Sequence, residues 1–155
     1  MTGASDALIW HHTSVVVDDI DQAVAFYDSQ LGFDVTLETR GMAELIQQML
    51  GVAGITCDLV QGSSPLSPHI LELIAFHNIP EHADSRLPIW PGSSHLAFVV
   101  PDLPAAVRSL ITAGGRPVGQ VTEFPEGPAV YCWTPGGAVL EFEQWHEPPL
   151  PGGRR

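Results

Sequence analysis

The sequence repeats itself at a spacing of 83 residues, which restricts the chain to folds with two similar halves. His12-Thr-Ser-Val-Val-Val-Asp-Asp-Ile falls over His95-Leu-Ala-Phe-Val-Val-Pro-Asp-Leu, and identities continue at Ala23/Ala106, Val24/Val107 and Gly32/Gly115. Each copy reads as a β-branched strand, a helix start, an amphipathic helix and a glycine stop. Asp19 and Asp102 suit N-caps, because a short carboxylate accepts from the unpaired amides of a first helical turn. Pro104 is tolerated early in its helix, where its missing N–H has no partner to lose. Val24, Phe26 and Tyr27, and later Val107, Leu110 and Ile111, are the expected core-facing stripes.

Further strands follow each helix: Phe33–Glu38, Ile55–Val60 and His69–Phe76 in the first half, and Arg116–Thr122, Ala129–Thr134 and Ala138–Trp145 in the second. Two βαβββ modules, 8–77 and 91–146, therefore fill a single α+β domain of 1–155, with 147–155 as a frayed tail. The polar, proline-bearing stretch His77–Ser94 joins them, and Pro-Gly-Gly at 135–137 reads as the last hairpin turn. Glu72 and Glu141 both fall in the final strand of their module, yet they are 69 residues apart rather than 83. The first module thus carries 14 extra residues, matching the glycine-bounded segment 41–54. Its Met-Ala-Glu-Leu-Ile-Gln-Gln-Met-Leu predicts an added short helix. That helix is either a packing flap or a substrate wall lined by Met42, Leu45, Ile46, Met49 and Leu50.

Charge narrows the function. The chain has 18 acidic residues, six arginines and no lysine, for a formal net charge of −12. Nucleic-acid binding needs a basic stripe to replace counterions, and none exists. The same scarcity weighs against ligands carrying several phosphates, but permits a small carboxylate held by one arginine; Arg40 and Arg116 are the best-placed cations. With 155 residues, 45% of them hydrophobic and 15% charged, disorder and a charge-rich coiled coil are excluded. No apolar run reaches the ~18–20 residues of a membrane span, and the N-terminus lacks a signal-peptide pattern. A cytoplasmic protein with no membrane partner is expected. Cys57 and Cys132, without a CxxC motif, read as two ordinary buried thiols.

One His and one Glu recur at matching places in both modules, His12 with Glu72 and His95 with Glu141. A carboxylate within an apolar strand is costly to bury without a partner or a metal. If the modules are related by a pseudo-two-fold axis, the four side chains converge. Two imidazoles and two carboxylates then make a mixed N/O site suited to one divalent transition metal, Ni, Co, Zn, Mn or Fe. Glu143 lies two residues beyond Glu141 and shares its face. His11 should point to the opposite face from His12, and His69, His77, His82 and His146 read as peripheral. Tyr131 and Trp133 are candidate pocket-lining aromatics.

The stretch 11–33 (HHTSVVVDDIDQAVAFYDSQLGF), the later SHLAFVVPDL and the closing TPGGAVLEFEQW resemble the vicinal oxygen chelate superfamily, the glyoxalase/bleomycin-resistance/extradiol-dioxygenase group. The resemblance covers about residues 8–146. It implies a curved, eight-stranded mixed sheet and a homodimer acting on a small-molecule substrate. The family's four metal positions fall on His12, Glu72, His95 and Glu141. That complete set is similar to bacterial glyoxalase I and one Gln/Glu exchange from methylmalonyl-CoA epimerase. It implies a metal-dependent isomerase or lyase, with Glu141 or Glu72 moving the proton. Arg40, Leu45, Met49, Tyr131 and Trp133, read from the residues themselves, are the candidate substrate-binding set. Two alternatives stand beside it. One is an Fe(II) extradiol-type dioxygenase using His12, His95 and Glu141; the other is a non-catalytic binding protein for a small hydrophobic compound.

Overall fold

The computed structural model describes residues 8–65 and 67–147. The first module runs β1 (Ile9–Val16), α1 (Ile20–Leu31), β2 (Asp34–Met42), α2 (Glu44–Leu50), β3 (Thr56–Ser63) and β4 (Ile70–His77). The second runs β5 (Ser94–Val99), α3 (Leu103–Thr112), β6 (Arg116–Pro117), β7 (Thr122–Phe124), β8 (Gly127–Trp133) and β9 (Val139–Glu143). One open, curved mixed sheet holds the strands in the order β2-β3-β4-β1-β5-β9-β8-β6, with β7 also paired to β8. The order reads the same from both ends. In each half the first strand runs parallel to the last, β1 with β4 and β5 with β9, and the halves meet where β1 and β5 pair antiparallel.

The helix starts follow from local chemistry. The Asp19 carboxylate accepts from the Gln22 amide at 3.0 Å, and that of Asp102 from the Ala105 amide at 2.8 Å. Gly32 closes α1 in the left-handed conformation (φ 62°). In the second module the left-handed residue is Gly114 (φ 96°), one position before the Gly115 that aligns with Gly32. The inward stripe of α1 is Ile20, Ala23, Val24 and Tyr27, packed on Phe33, Val60, Leu73 and Ala75. Phe26 (58% exposed) and Ile111 (50% exposed) lie outside these stripes, because at 3.6 residues per turn each projects roughly 90–110° from the centre of its helix's i, i+3, i+4, i+7 face.

Nine strands stand among the described residues where eight were expected. The expected strand Arg116–Thr122 is broken into β6 and β7, both on β8. Pro117 has no amide to donate, and past Val118 the chain lifts onto α2. There the Gln120 amide donates to the Gln48 carbonyl at 2.9 Å, satisfying one of the open carbonyls of that helix. Gly119 passes so close to Met49 that a Cβ would collide with the helix backbone. The extra helix of the first module is thereby tied to the second.

The sheet separates two kinds of core. α1 and α3 cover its outer face, each over its own cluster. The inner face carries Val16, Cys57, Ile74, Ala129, Tyr131, Trp133 and Val139, closed over by Ile46, Met49 and Leu50 of α2. Leu87 and Ile89 also enter this inner cluster and are buried. The connection between modules is therefore a plug as well as a polar linker. Both cysteines are buried and free.

Candidate metal centre

Strand register brings the two repeated His–Glu pairs together on the inner face. On β1 the alternation buries His12, Ser14 and Val16 on one side. Ser14 stands beside Glu72 of β4 on one flank and His95 of β5 on the other. One step along, Ala97 stands between His12 and Glu141, and Tyr131 of β8 is opposite Glu141. The pseudo-two-fold thus exchanges His12 with His95, Ser14 with Ala97, Glu72 with Glu141, and Gln61 with Tyr131.

The four side chains meet through a small set of atoms. His12 Nε2 is 3.4 Å from His95 Nε2, 3.5 Å from Glu72 Oε2 and 3.5 Å from Glu141 Oε2. His95 Nε2 is 3.0 Å from Glu141 Oε2 and 3.8 Å from Glu72 Oε1. Ligand atoms about 2.1 Å from one ion are separated by about 3.0 Å at octahedral right angles and about 3.4 Å in a tetrahedron. The separations of 3.0–3.5 Å match edges of such a shell, and the His95–Glu72 distance of 3.8 Å is wider. Two nitrogens 3.4 Å apart with carboxylate oxygens of Glu72 and Glu141 beside them make a good N/O donor set. His12, Glu72 and His95 are all buried and can hold a metal ion. Beneath them the Ser14 hydroxyl is fully buried without a hydrogen-bond partner. An orphaned polar atom at the floor of a donor cluster fits a site built for a further group.

Electrostatics give the same picture. Burial works against charge on His12, but Glu72, Glu141 and Glu143 overcome it and push its pKa up to about 9. Burial also resists charge on Glu141, yet hydrogen bonds from His12 and His95 hold its carboxyl below the usual carboxylate range. Glu143 has burial and the Glu141 charge against it and is pushed up to about 8. His12 therefore stays protonated at neutral pH, an imidazolium where a divalent cation can stand.

The two carboxylates differ in support. The Gln61 amide donates to Glu72 Oε2 at 2.7 Å, whereas the symmetry-equivalent residue opposite Glu141 is Tyr131, whose ring packs edge-on against His95. The partners of Glu141 are the two histidines, and its side chain is more exposed than that of Glu72, 11% against 4%. Neither Gln61 nor Ser14 stands out in the sequence. The only signal is that Ser14 occupies the place of Ala97 in the repeat and that Gln61 follows Asp58-Leu-Val in a strand.

His11 reverses its expected direction. The β1–β5 register slips between Trp10 and His12, and this bulge turns both imidazoles the same way. His11 Nδ1 lies 2.8 Å from His12 Nδ1 and 3.6 Å from Glu143 Oε1. Burial and the neighbouring His12 push its pKa down to about 4. Glu143 shares the face of Glu141, 3.7 Å from His12 Nδ1.

The residues expected around the centre divide. Tyr131 touches it, while Trp133 lies one alternation away, with the Arg86 guanidinium 5.7 Å above its ring. Met49 is buried in the inner cluster and Leu45 is half-buried on the same helix. Arg40 is not brought to the group. It lies on the outer side near α1, bonded to Asp21 at 2.7 Å and Glu38 at 2.6 Å. Arg116 is exposed on the two-residue edge strand β6. His77 pairs with Asp58 at 3.1 Å and His146 with Glu123 at 2.9 Å, both exposed.

The Glyoxalase/Bleomycin resistance protein/Dioxygenase superfamily model matches residues 9–142. Methylmalonyl-CoA epimerase from Mycobacterium tuberculosis superposes with a TM-score of 0.66 at 22% identity, over 95% of this chain and 93% of that one. A Streptomyces coelicolor methylmalonyl-CoA epimerase variant in complex with 2-nitronate-propionyl-CoA gives 0.61 at 19%, over 94% and 100%. A hypothetical protein from Bacillus halodurans C-125 gives 0.63 at 16%, over 94% and 99%. These identities establish a shared fold. No curated protein matches the sequence.

Proposed function

Because the chain belongs to the glyoxalase/bleomycin resistance protein/dioxygenase superfamily, we propose that it is a metal-dependent isomerase or lyase of glyoxalase or epimerase type. His12, Glu72, His95 and Glu141 would hold one divalent transition metal, which supplies Lewis acidity toward the paired oxygens of a small substrate. Glu141 is the proposed base. It takes a proton from the carbon next to the substrate carbonyl and returns it to the neighbouring carbon or to the opposite face of the same one. The observation that carries this assignment is the asymmetry of the carboxylates. Glu72 is pinned by Gln61, while Glu141 answers only to the histidines and is the more open of the two.

Charge favours a small, weakly charged substrate. Two carboxylates neutralise a divalent ion, so the loaded centre has no net charge to offer a polyanion. Arg40, the candidate carboxylate clamp, is already engaged with Asp21 and Glu38. A compound with two neighbouring oxygens and an apolar remainder suits the Tyr131–Met49 side. A homodimer is proposed on the same footing, and Leu8, Ile9 and Trp10 present an exposed apolar start to β1. No described helix is long and apolar enough to cross a membrane.

Elemental analysis of the purified protein, with His95→Ala as control, tests the reading. About one equivalent of Ni, Co, Zn or Mn, lost in the variant, supports it; Fe(II) with oxygen-dependent turnover would shift it to the dioxygenase alternative. An absence of metal after reconstitution leaves the binding-protein alternative. In a metal-loaded protein, Glu141→Gln should abolish solvent-deuterium exchange at the carbon next to a substrate carbonyl. Retained exchange would remove Glu141 as base.

A further inference from the structure

His12 presents one ring nitrogen to the candidate metal set and the other to a group outside it. Its Nε2 faces Glu72, His95 and Glu141, while its Nδ1 lies 2.8 Å from Nδ1 of His11. Ring nitrogens that close share a hydrogen bond, so one carries the proton and the other the lone pair. A neutral imidazole has a single N–H. If Nε2 is to offer its lone pair to a metal, the proton sits on Nδ1, His12 is the donor and His11 Nδ1 accepts.

A ligating histidine usually gives its second N–H to a carboxylate or a carbonyl. Glu143 is the obvious carboxylate here, yet its Oε1 is 3.7 Å from His12 Nδ1, and its Oε2 accepts from the Trp145 indole at 2.7 Å. His11 occupies the closer place. The bulge in β1 delivers it, and the edge of its ring packs against Trp145 at 4.8 Å and 80°. That ring contact holds the plane of the His11 ring, whose Nδ1 faces His12. The arrangement has no counterpart in the second module, where the residue before His95 is Ser94.

We infer that His11 is a positioning residue for the metal centre: it accepts the Nδ1–H of His12 and so fixes the tautomer whose Nε2 lone pair faces the other three ligands. This rests on the metal-site reading above. It makes the two halves unequal, with His12 the oriented ligand and His95 held directly against Glu141 at 3.0 Å.

Two substitutions separate positioning from packing. His11→Phe keeps an aromatic ring against Trp145 but removes the acceptor; His11→Asn loses the ring but places an amide oxygen near the former Nδ1. The Co(II) affinity of each is measured by chelator competition, together with the visible absorption of the Co(II) protein. Loss of such an outer partner typically costs about 10–100-fold in affinity. That loss is expected for His11→Phe with a changed spectrum, and His11→Asn should recover most of it. A Phe variant binding Co(II) like the unsubstituted protein, or an Asn variant as weak as Phe, would overturn the inference. Nitrogen NMR of the metal-free protein above pH 9, where the His12 imidazolium has given up its extra proton, reads the tautomers independently. A protonated His12 Nδ1 facing a bare His11 Nδ1 supports the inference even if Co(II) never binds, an outcome that would sink the metal reading alone. A protonated His11 Nδ1 refutes it.

Discussion

Metal affinity should depend on pH with a slope set by one proton. In the metal-free cluster the central positive charge is the His12 imidazolium, held to about pH 9 by Glu72, Glu141 and Glu143 against the opposing effect of burial. A ligand nitrogen must be bare, so each ion bound expels that proton. The fraction of protein with His12 already bare is about one in a thousand at pH 6 and about one in ten at pH 8. Apparent affinity for Zn or Co should therefore rise about 100-fold over that interval, equivalent to about 3 kcal/mol. Competition titrations against a chelator of known proton dependence, at half-unit steps, measure the slope. Calorimetry in buffers of different ionisation enthalpy counts the proton directly, and about one per ion is expected at pH 7. Flat affinity between pH 6 and 8, or no proton released, would show that His12 is not the charge the metal replaces.

The same proton affects folding. The His12 pKa rises from 6.5 unfolded to about 9 folded, so its contribution to stability is complete below pH 6.5 and lost as the pH climbs through 9. Glu143, raised from 4.5 to about 8, acts in the same direction up to pH 8. The melting temperature of metal-free protein should fall between pH 6.5 and 9; a constant or rising value contradicts the charge assignment. Gln61→Leu strips Glu72 of its 2.7 Å donor and should weaken metal binding about 10–100-fold, whereas an unchanged affinity would show that Glu72 needs no anchor. Met49, 1% exposed among inner-cluster residues, should cost about 2–5 kcal/mol when replaced by Ala. Chemical denaturation yielding under 1 kcal/mol would make α2 a lid rather than core.

The repeat made the architecture legible because its information is local and duplicated. Strand, capping aspartate, helix and glycine recur 83 residues apart, and each reads by its own short-range chemistry. His12, Glu72, His95 and Glu141 were visible for the same reason, since a carboxylate in an apolar strand is conspicuous once it occurs twice. What the repeat does not duplicate was harder to see. The break between β6 and β7 depends on Gln120 and Gly119 meeting α2, a helix 70 residues earlier that exists in one module only. Leu87 and Ile89 lie in a proline-bearing connection that reads as polar, and only the open inner face gives them somewhere to go. Arg40 was judged by type; its placement on the outer side follows from a strand register that composition cannot supply.

His11 shows how far one residue of register can alter the chemistry. Strict alternation would send His11 and His12 to opposite faces, leaving His12 Nδ1 against the strands and His11 a surface residue. The slip between Trp10 and His12 instead gives the inner face two adjacent imidazoles 2.8 Å apart. The proposed ligand set keeps the symmetry of the repeat, two histidines and two glutamates, but the groups around it do not. Gln61 restrains Glu72 where Tyr131 faces Glu141, and His11 restrains His12 where Glu141 restrains His95. A centre restrained on the Glu72–His12 side and open at Glu141 has an inherent direction. A substrate should enter from the Glu141 side, where the proposed base keeps 11% of its side chain exposed against 4% for Glu72.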